Sequence, residues 1–179
     1  PEWCGITADD VAEIKGFAGI EVYNSSCRYN GKADNESVWN ELTDAHIFSP
    51  ALAVDDTHST AELFGGWTMI AAPDKSVASI MDALKKGNFY ATQGPEFTRL
   101  SYENGIFEAE FTEVEEAILI GERSSGYWEA LPGWPNHGDY KLLTKLHKPA
   151  DVKTLGANRF RCRIKDNKGR YAWTGIINA

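Results

Sequence analysis

The sequence predicts an α/β segment followed by antiparallel β structure, and three observations predict it. Up to about Phe89, short apolar runs alternate with segments whose apolar residues recur at helical spacing, the pattern of βα units and a parallel sheet. Beyond Phe89 the apolar residues alternate with polar ones, the period of a strand with one buried face. Two turn signals, Asn104-Gly105 and Asp166-Asn167-Lys168-Gly169, sit between such alternating runs, as hairpin turns do. The division therefore falls near Pro95, giving residues 1–95 as the α/β part and 96–179 as a β-rich part.

Each element has a local reason. Thr7 to Lys15 reads as a helix, with Thr7 as N-cap, Asp9 and Asp10 in the electropositive first turn, and Val11 and Ile14 on one face. Ala18 to Tyr23 is short, apolar and β-branched, a strand leading into a polar loop over Asn24 to Asp34. Val38, Trp39 and Leu42 give Asn35 to Ala45 a helical face, and Ala51 to Val54 forms a second buried strand. Trp67 to Ala72 suggests a third, followed by turn and helix-cap residues over Pro73 to Ser76. A helix then carries Val77, Ile80, Met81 and Leu84 on one stripe, with Lys85 and Lys86 at its C-terminal end and Gly87 free to adopt a left-handed cap. In the second half, strands are expected over Phe97 to Tyr102, Ile106 to Phe111, Val114 to Ile120, Tyr140 to Leu146, Phe160 to Lys165 and Tyr171 to Ile177. The segment Ser124 to Gly138 reads as a Gly-, Pro- and Trp-rich loop.

Composition narrows the function. The 179 residues carry a formal charge of −8, so a basic surface that tracks nucleic-acid phosphates is not expected. No apolar run approaches the ~20 residues that cross a bilayer, so no membrane partner is expected, and the cysteine usage that follows leads to the expectation of a reducing, cytoplasmic compartment. Cys4, Cys27 and Cys162 are odd in number and lack C-x-x-C spacing, so they read as small buried hydrophobes rather than a disulfide or zinc framework. The opening Pro1-Glu2-Trp3 reads as the interior of a longer protein.

Chemistry concentrates at Asp55-Asp56-Thr57-His58, directly after the strand Ala51 to Val54. The C-terminal ends of strands are where α/β folds assemble ligand sites, and Asp56 and His58 at i and i+2 offer oxygen and imidazole donors suited to Zn, Mn or Fe. A capped, solvated acidic turn is the alternative reading of the same four residues. Asp55 can orient His58 or serve the turn. Glu21, costly to bury unpaired, either faces the site or lies at the surface. His46 reads as a helix cap or a solvent-facing residue and His137 as a turn residue. Tyr127, Trp128, Trp134 and Tyr140 read either as a stacking platform or as β-domain core.

The ordered series Gly19-Ile20-Glu21-Val22-Tyr23-Asn24, Trp39-Asn40-Glu41-Leu42, Val54-Asp55-Asp56-Thr57-His58, Gly65-Gly66-Trp67, Ala83 to Pro95 and Gly169 to Thr174 resembles the back half of the polymerase-and-histidinol-phosphatase (PHP) metallohydrolases, in their CehA/McbA-like branch. The resemblance spans most of the chain and is weakest between Glu96 and Asn158. It implies the C-terminal βα units of a distorted (β/α)7 PHP barrel followed by a β-sandwich-like domain. The metal ligands it implies are Asp56 and His58, the last of several ligand motifs, with Asp55 and Glu21 near the site. The implied activity is hydrolysis of a small phosphorylated molecule by metal-activated water, with an ester or carbamate as the other substrate class found in the branch. The family's early H-x-H and its other His and Glu ligands have no counterpart here, so the isolated chain is expected to be inactive and to bind metal weakly or not at all. Its expected partners are the N-terminal half of the same protein or another copy of itself. The competing function is a non-catalytic β accessory or binding module.

Overall fold

The computed structural model describes residues 3–123, 125–129, 143–148 and 158–178, and the chain forms two compact units, Pro1–Gln93 and Gly94–Ala179. In the first, helix α1 (Ala8–Glu13) opens with a reciprocal cap: Thr7 Oγ1 accepts from the Asp10 N–H and Asp10 Oδ2 accepts from the Thr7 N–H. The helix ends before Ile14, which is exposed rather than sharing the buried face of Val11. Strands β1 (Ile20–Asn24) and β2 (Ala51–Val54) pair in parallel, with α2 (Glu36–Asp44) as the crossover that parallel pairing requires. Trp39 and Leu42 of α2 are fully buried, and the Trp39 Nε1–H donates to the Ser49 carbonyl at 2.9 Å. The loop between β1 and α2 holds a short 3-10 helix, Ser26–Asn30.

Strand β3 (Trp67–Ile70), helix α3 (Val77–Lys86) and strand β4 (Phe89–Thr92) complete this unit. Here the expected continuation of a parallel sheet is corrected, because β3 and β4 pair antiparallel. Gly87 adopts a left-handed φ of 71° at the end of α3, and the Ala71 N–H binds the Asn88 carbonyl, so β4 starts beside the end of β3 and must run back along it. A second correction concerns the α3 stripe: Val77 is 78% and Met81 46% exposed, and Ala83 is the helix's buried residue. Periodicity identifies an apolar stripe but not what covers it. Among the described residues the first unit thus holds one parallel strand pair and no closed barrel.

The second unit contains two antiparallel sheets. One is β5 (Phe97–Glu103), β6 (Ile106–Val114) and β9 (Leu143–Lys148). The other joins β8 (Gly126–Glu129), β7 (Glu116–Gly121), β10 (Arg159–Lys165) and β11 (Tyr171–Thr174), with β12 (Ile177–Asn178) also pairing β10. Asn104 and Gly105 have φ of 53° and 79°, so the β5–β6 hairpin turns through two left-handed residues, as Asn-Gly predicts. The Phe160 ring of β10 meets Tyr102 of β5 and Phe107 of β6 edge-on at 5.4 and 5.3 Å, joining the buried faces of the two sheets. Strand β8 lies inside the segment expected to be a loop. The expected strand over Tyr171 to Ile177 is broken after Thr174, whose hydroxyl accepts the Cys162 N–H and donates to the Gly175 carbonyl. Among the described residues, no helix is long and apolar enough to cross a membrane.

The turn between β10 and β11 is organised by one carboxylate. Asp166 Oδ1 accepts the N–H groups of Lys168 and Arg170 at 2.9 Å each, and Oδ2 takes the Arg170 guanidinium at 2.7 and 2.8 Å. Burial, the largest single influence, favours the neutral acid, but the backbone and guanidinium donors together outweigh it and hold this carboxyl below its ordinary value. Because the folded-state value is depressed, the stabilisation is present above the ordinary Asp range and is lost as pH falls through the folded value. Asp166→Ala is expected to cost about 2–3 kcal/mol near neutrality, with the gap from wild type closing below about pH 4. Urea titrations at stepped pH check this, and a gap that does not change with pH would refute it.

Candidate functional site

The site is built on the C-terminal ends of β1 and β2. The Ser25 N–H donates to the Val54 carbonyl and the Ser26 N–H to that of Asp55, which extends the strand pairing into the loops and brings residues 24–28 beside residues 54–56. Asp55 then anchors the next loop: Oδ1 accepts the N–H groups of Gly65 and Gly66 at 2.7 and 2.9 Å, and Oδ2 that of Phe64 at 2.7 Å. Three successive amides around one carboxylate form an anion nest filled by the chain's own side chain. Burial, the largest influence, works against ionisation, but these three amides and the nearby Arg28 charge outweigh it and depress the Asp55 pKa. Asp55 therefore takes the loop-organising role rather than orienting His58.

The Gly65-Gly66 pair is explained by this closeness. A Cβ on Gly65 would lie 1.8 Å from Ser25 Oγ, and one on Gly66 would lie 2.8 Å from the Tyr23 ring. Asp56, next in the chain after Asp55, has a left-handed φ of 53°, a conformation that Asp adopts more readily than most residues.

Two of the sequence-predicted residues meet here through a third, Asn24, at the start of the expected polar loop. Asn24 Nδ2 donates to Glu21 Oε2 and to Asp56 Oδ2, both at 3.2 Å, so the two carboxylates converge on one amide. The Cys27 N–H donates to Asn24 Oδ1 at 3.2 Å, which fixes the amide with its NH2 group toward the acids. Asn24 shares the buried face of β1 with Ile20 and Val22, while Glu21 is exposed. Burial first, then the Asp56 and Glu21 charges, push the Cys27 thiol up, which disfavours the thiolate a nucleophile needs. Cys162 is pushed up by burial alone.

His58 is exposed at the entry to a 3-10 turn, Thr60–Glu62. Its N–H and that of Ser59 donate to Glu62 Oε2, and these two bonds, the His58 one first, hold the Glu62 carboxyl below its ordinary value. The structure thus brings Glu21 and Asp56 together through Asn24 and leaves His58 on the adjoining turn. His46, with a φ of 62°, caps α2 by donating its N–H to the Thr43 carbonyl and lies tilted against Phe48. Trp134, His137, Tyr140 and the Trp128 side chain lie outside the described residues.

Carboxylate oxygens and an imidazole are the right donors for Zn, Mn or Fe, but a catalytic zinc centre normally takes three protein ligands. Among the described residues, no group of three or more His, Cys, Asp or Glu side chains is arranged to hold a metal ion. The donor chemistry fits and the donor number does not, so any centre that uses Asp56 and His58 draws further ligands from elsewhere.

No protein-family model matches the chain, and comparison with curated proteins and with solved structures yields no match.

Proposed function

We propose that this chain is the C-terminal part of a PHP-type metal-dependent phosphoesterase, to whose metal centre it contributes Asp56 and His58. The observation that carries the reading is the convergence of the Asp56 and Glu21 carboxylates on Asn24 at the C-terminal end of a parallel strand pair, where α/β folds assemble their ligand sites. Bound divalent ions supply hydroxide near neutral pH and neutralise charge that builds on a phosphoryl group. The chain's own part is to hold Asp56 at a set distance from Glu21 through Asn24, and to keep the His58 turn closed with Glu62.

The test uses the longer protein. Asp56→Ala and His58→Ala are each expected to lower bound metal by elemental analysis and to lower aryl-phosphate turnover at least ~100-fold, equivalent to about 2.7 kcal/mol or more. Full metal content and unchanged turnover in both variants would return residues 55–58 to an ordinary acidic turn. A second reading, a non-catalytic accessory module, is favoured by the β-rich second unit, whose two sheets meet through apolar rings rather than a cluster of titratable groups.

A further inference from the structure

The sequence contains two Asn-Gly pairs, Asn30-Gly31 and Asn104-Gly105, and one Asn-Ser pair, Asn24-Ser25. In such pairs the small second residue lets its own amide nitrogen reach the asparagine side chain. A bond forms from that nitrogen to Cγ, the Cγ–Nδ2 bond breaks, and ammonia leaves with the amide proton, closing a succinimide ring. Water then adds across one of the two imide bonds, giving aspartate or isoaspartate. The attack needs a second-residue N–H that is not held in a hydrogen bond, and an asparagine whose backbone can rotate to bring its side chain over that nitrogen.

The structure separates the three pairs. Asn24 is buried, its Nδ2 donates to Glu21 and Asp56, its Oδ1 accepts the Cys27 N–H, and the Ser25 N–H is bound to the Val54 carbonyl. Asn30 is exposed, but the Gly31 N–H donates to the Arg28 carbonyl and the Lys32 N–H to the Cys27 carbonyl, both at 3.1 Å, so the 3-10 helix closes over the attacking nitrogen. Asn104 is exposed at the tip of the β5–β6 hairpin, and the Gly105 N–H makes no backbone hydrogen bond among the described residues. A two-residue hairpin turn is closed between its flanking residues, here Glu103 and Ile106, which leaves the second turn amide outside the ladder. Attack requires Asn104 to leave its left-handed conformation. Little resists that at this tip, because Glu103 is exposed, Ile106 is only half-buried, and β5 stands at the edge of its sheet.

We propose that Asn104-Gly105 is a self-modification site of the second unit, whose conversion to isoaspartate, with water as the only co-reactant, loosens the β5–β6 hairpin. Isoaspartate routes the main chain through Cβ and so adds one carbon to a turn whose two residues are both held at positive φ. Just beyond the turn, Tyr102 and Phe107 are paired across the two strands, and both rings meet Phe160 of the other sheet. The added carbon therefore acts on the contact that joins the two sheets. The proposal is independent of the phosphoesterase reading.

The test ages this chain at mildly alkaline pH and body temperature and follows the peptides holding Asn24, Asn30 and Asn104 by mass spectrometry, where each conversion adds one dalton. Asn104 is expected to convert at least tenfold faster than Asn30, with Asn24 unchanged and isoaspartate as the main product by fragmentation. In concentrated urea Asn30 and Asn104 are expected to convert at similar rates, because the fold is what distinguishes them. Amide exchange at Tyr102 and Phe107 is expected to quicken at least tenfold in the isoaspartate form. Asn104→Asp, which carries the same charge on an ordinary backbone, is expected to leave that exchange near its original rate. Conversion of Asn30 as fast as Asn104 in the folded chain, or a tenfold difference that persists in urea, would overturn the proposal. Unchanged exchange in the isoaspartate form, or equally quickened exchange in Asn104→Asp, would overturn the effect assigned to the added carbon.

Discussion

Replacing Trp39 by alanine is expected to destabilise the first unit by about 3–5 kcal/mol, the range for truncating a fully buried aromatic side chain. Trp39 of α2, the crossover between β1 and β2, is fully buried, and its indole N–H satisfies the Ser49 carbonyl. The next carbonyl, that of Pro50, receives the Ile20 N–H, so the indole bond steadies the segment that sets the β1–β2 register. Alanine would leave both a cavity and an unsatisfied buried carbonyl. Trp39→Phe retains most of the apolar volume and forfeits the hydrogen bond, for an expected cost of about 1–2 kcal/mol. Native-state amide exchange at Val22 and Ala53 measures this within the unit, independently of how the second unit unfolds. Protection factors within about tenfold of wild type in Trp39→Ala would contradict it.

Gly65→Ala is expected to cost about 2–4 kcal/mol and to dismantle the loop around Asp55. The added Cβ would sit 1.8 Å from Ser25 Oγ and 2.7 Å from Ser25 Cβ. Ser25 cannot swing away, because it is fully buried and its N–H is bonded to Val54. The loop must lift instead, which takes the amides of residues 64–66 off the Asp55 carboxylate. Gly31→Ala is the control: its φ of 69° is unfavourable to a side chain, but nothing lies within 4 Å, so the expected cost is only about 1 kcal/mol. Adding Ser25→Gly to Gly65→Ala removes the clashing atoms and should recover part of the loss. Denaturation midpoints of these three variants and of Ser25→Gly alone form the comparison, and strict additivity of the Ser25 and Gly65 effects would show that the contact is not the cause.

The division of legibility follows the range of the interactions. Thr7, Ser76 and Gly87 as helix caps, and Asn104-Gly105 as a left-handed hairpin turn, could be read from sequence because each acts on groups within four residues of itself. The same holds for the strand Ala51–Val54 and the acids that follow it. Strand direction was not legible at β4, because apolar period is the same for parallel and antiparallel pairing, and the direction is set by the non-local β3–β4 pairing that the Ala71–Asn88 bond continues. Nor was burial of the α3 stripe, which depends on what packs against it.

At the site, sequence by itself determined the donor types: two acids and an imidazole beyond a strand, with a glycine pair further on. Tertiary structure alone decided their roles. Asn24 and Asp56 lie 32 positions apart, and Asp55 meets the amides of residues 64–66 across a closed loop. One signal was present in the sequence, since the alternation of β1 puts Asn24 on the same face as Ile20 and Val22, and a buried amide needs partners. Which partners it finds is set by the parallel register of β1 against β2. That register is chosen by the burial of Trp39, Leu42 and Val22 together, a cooperative packing that no local pattern contains.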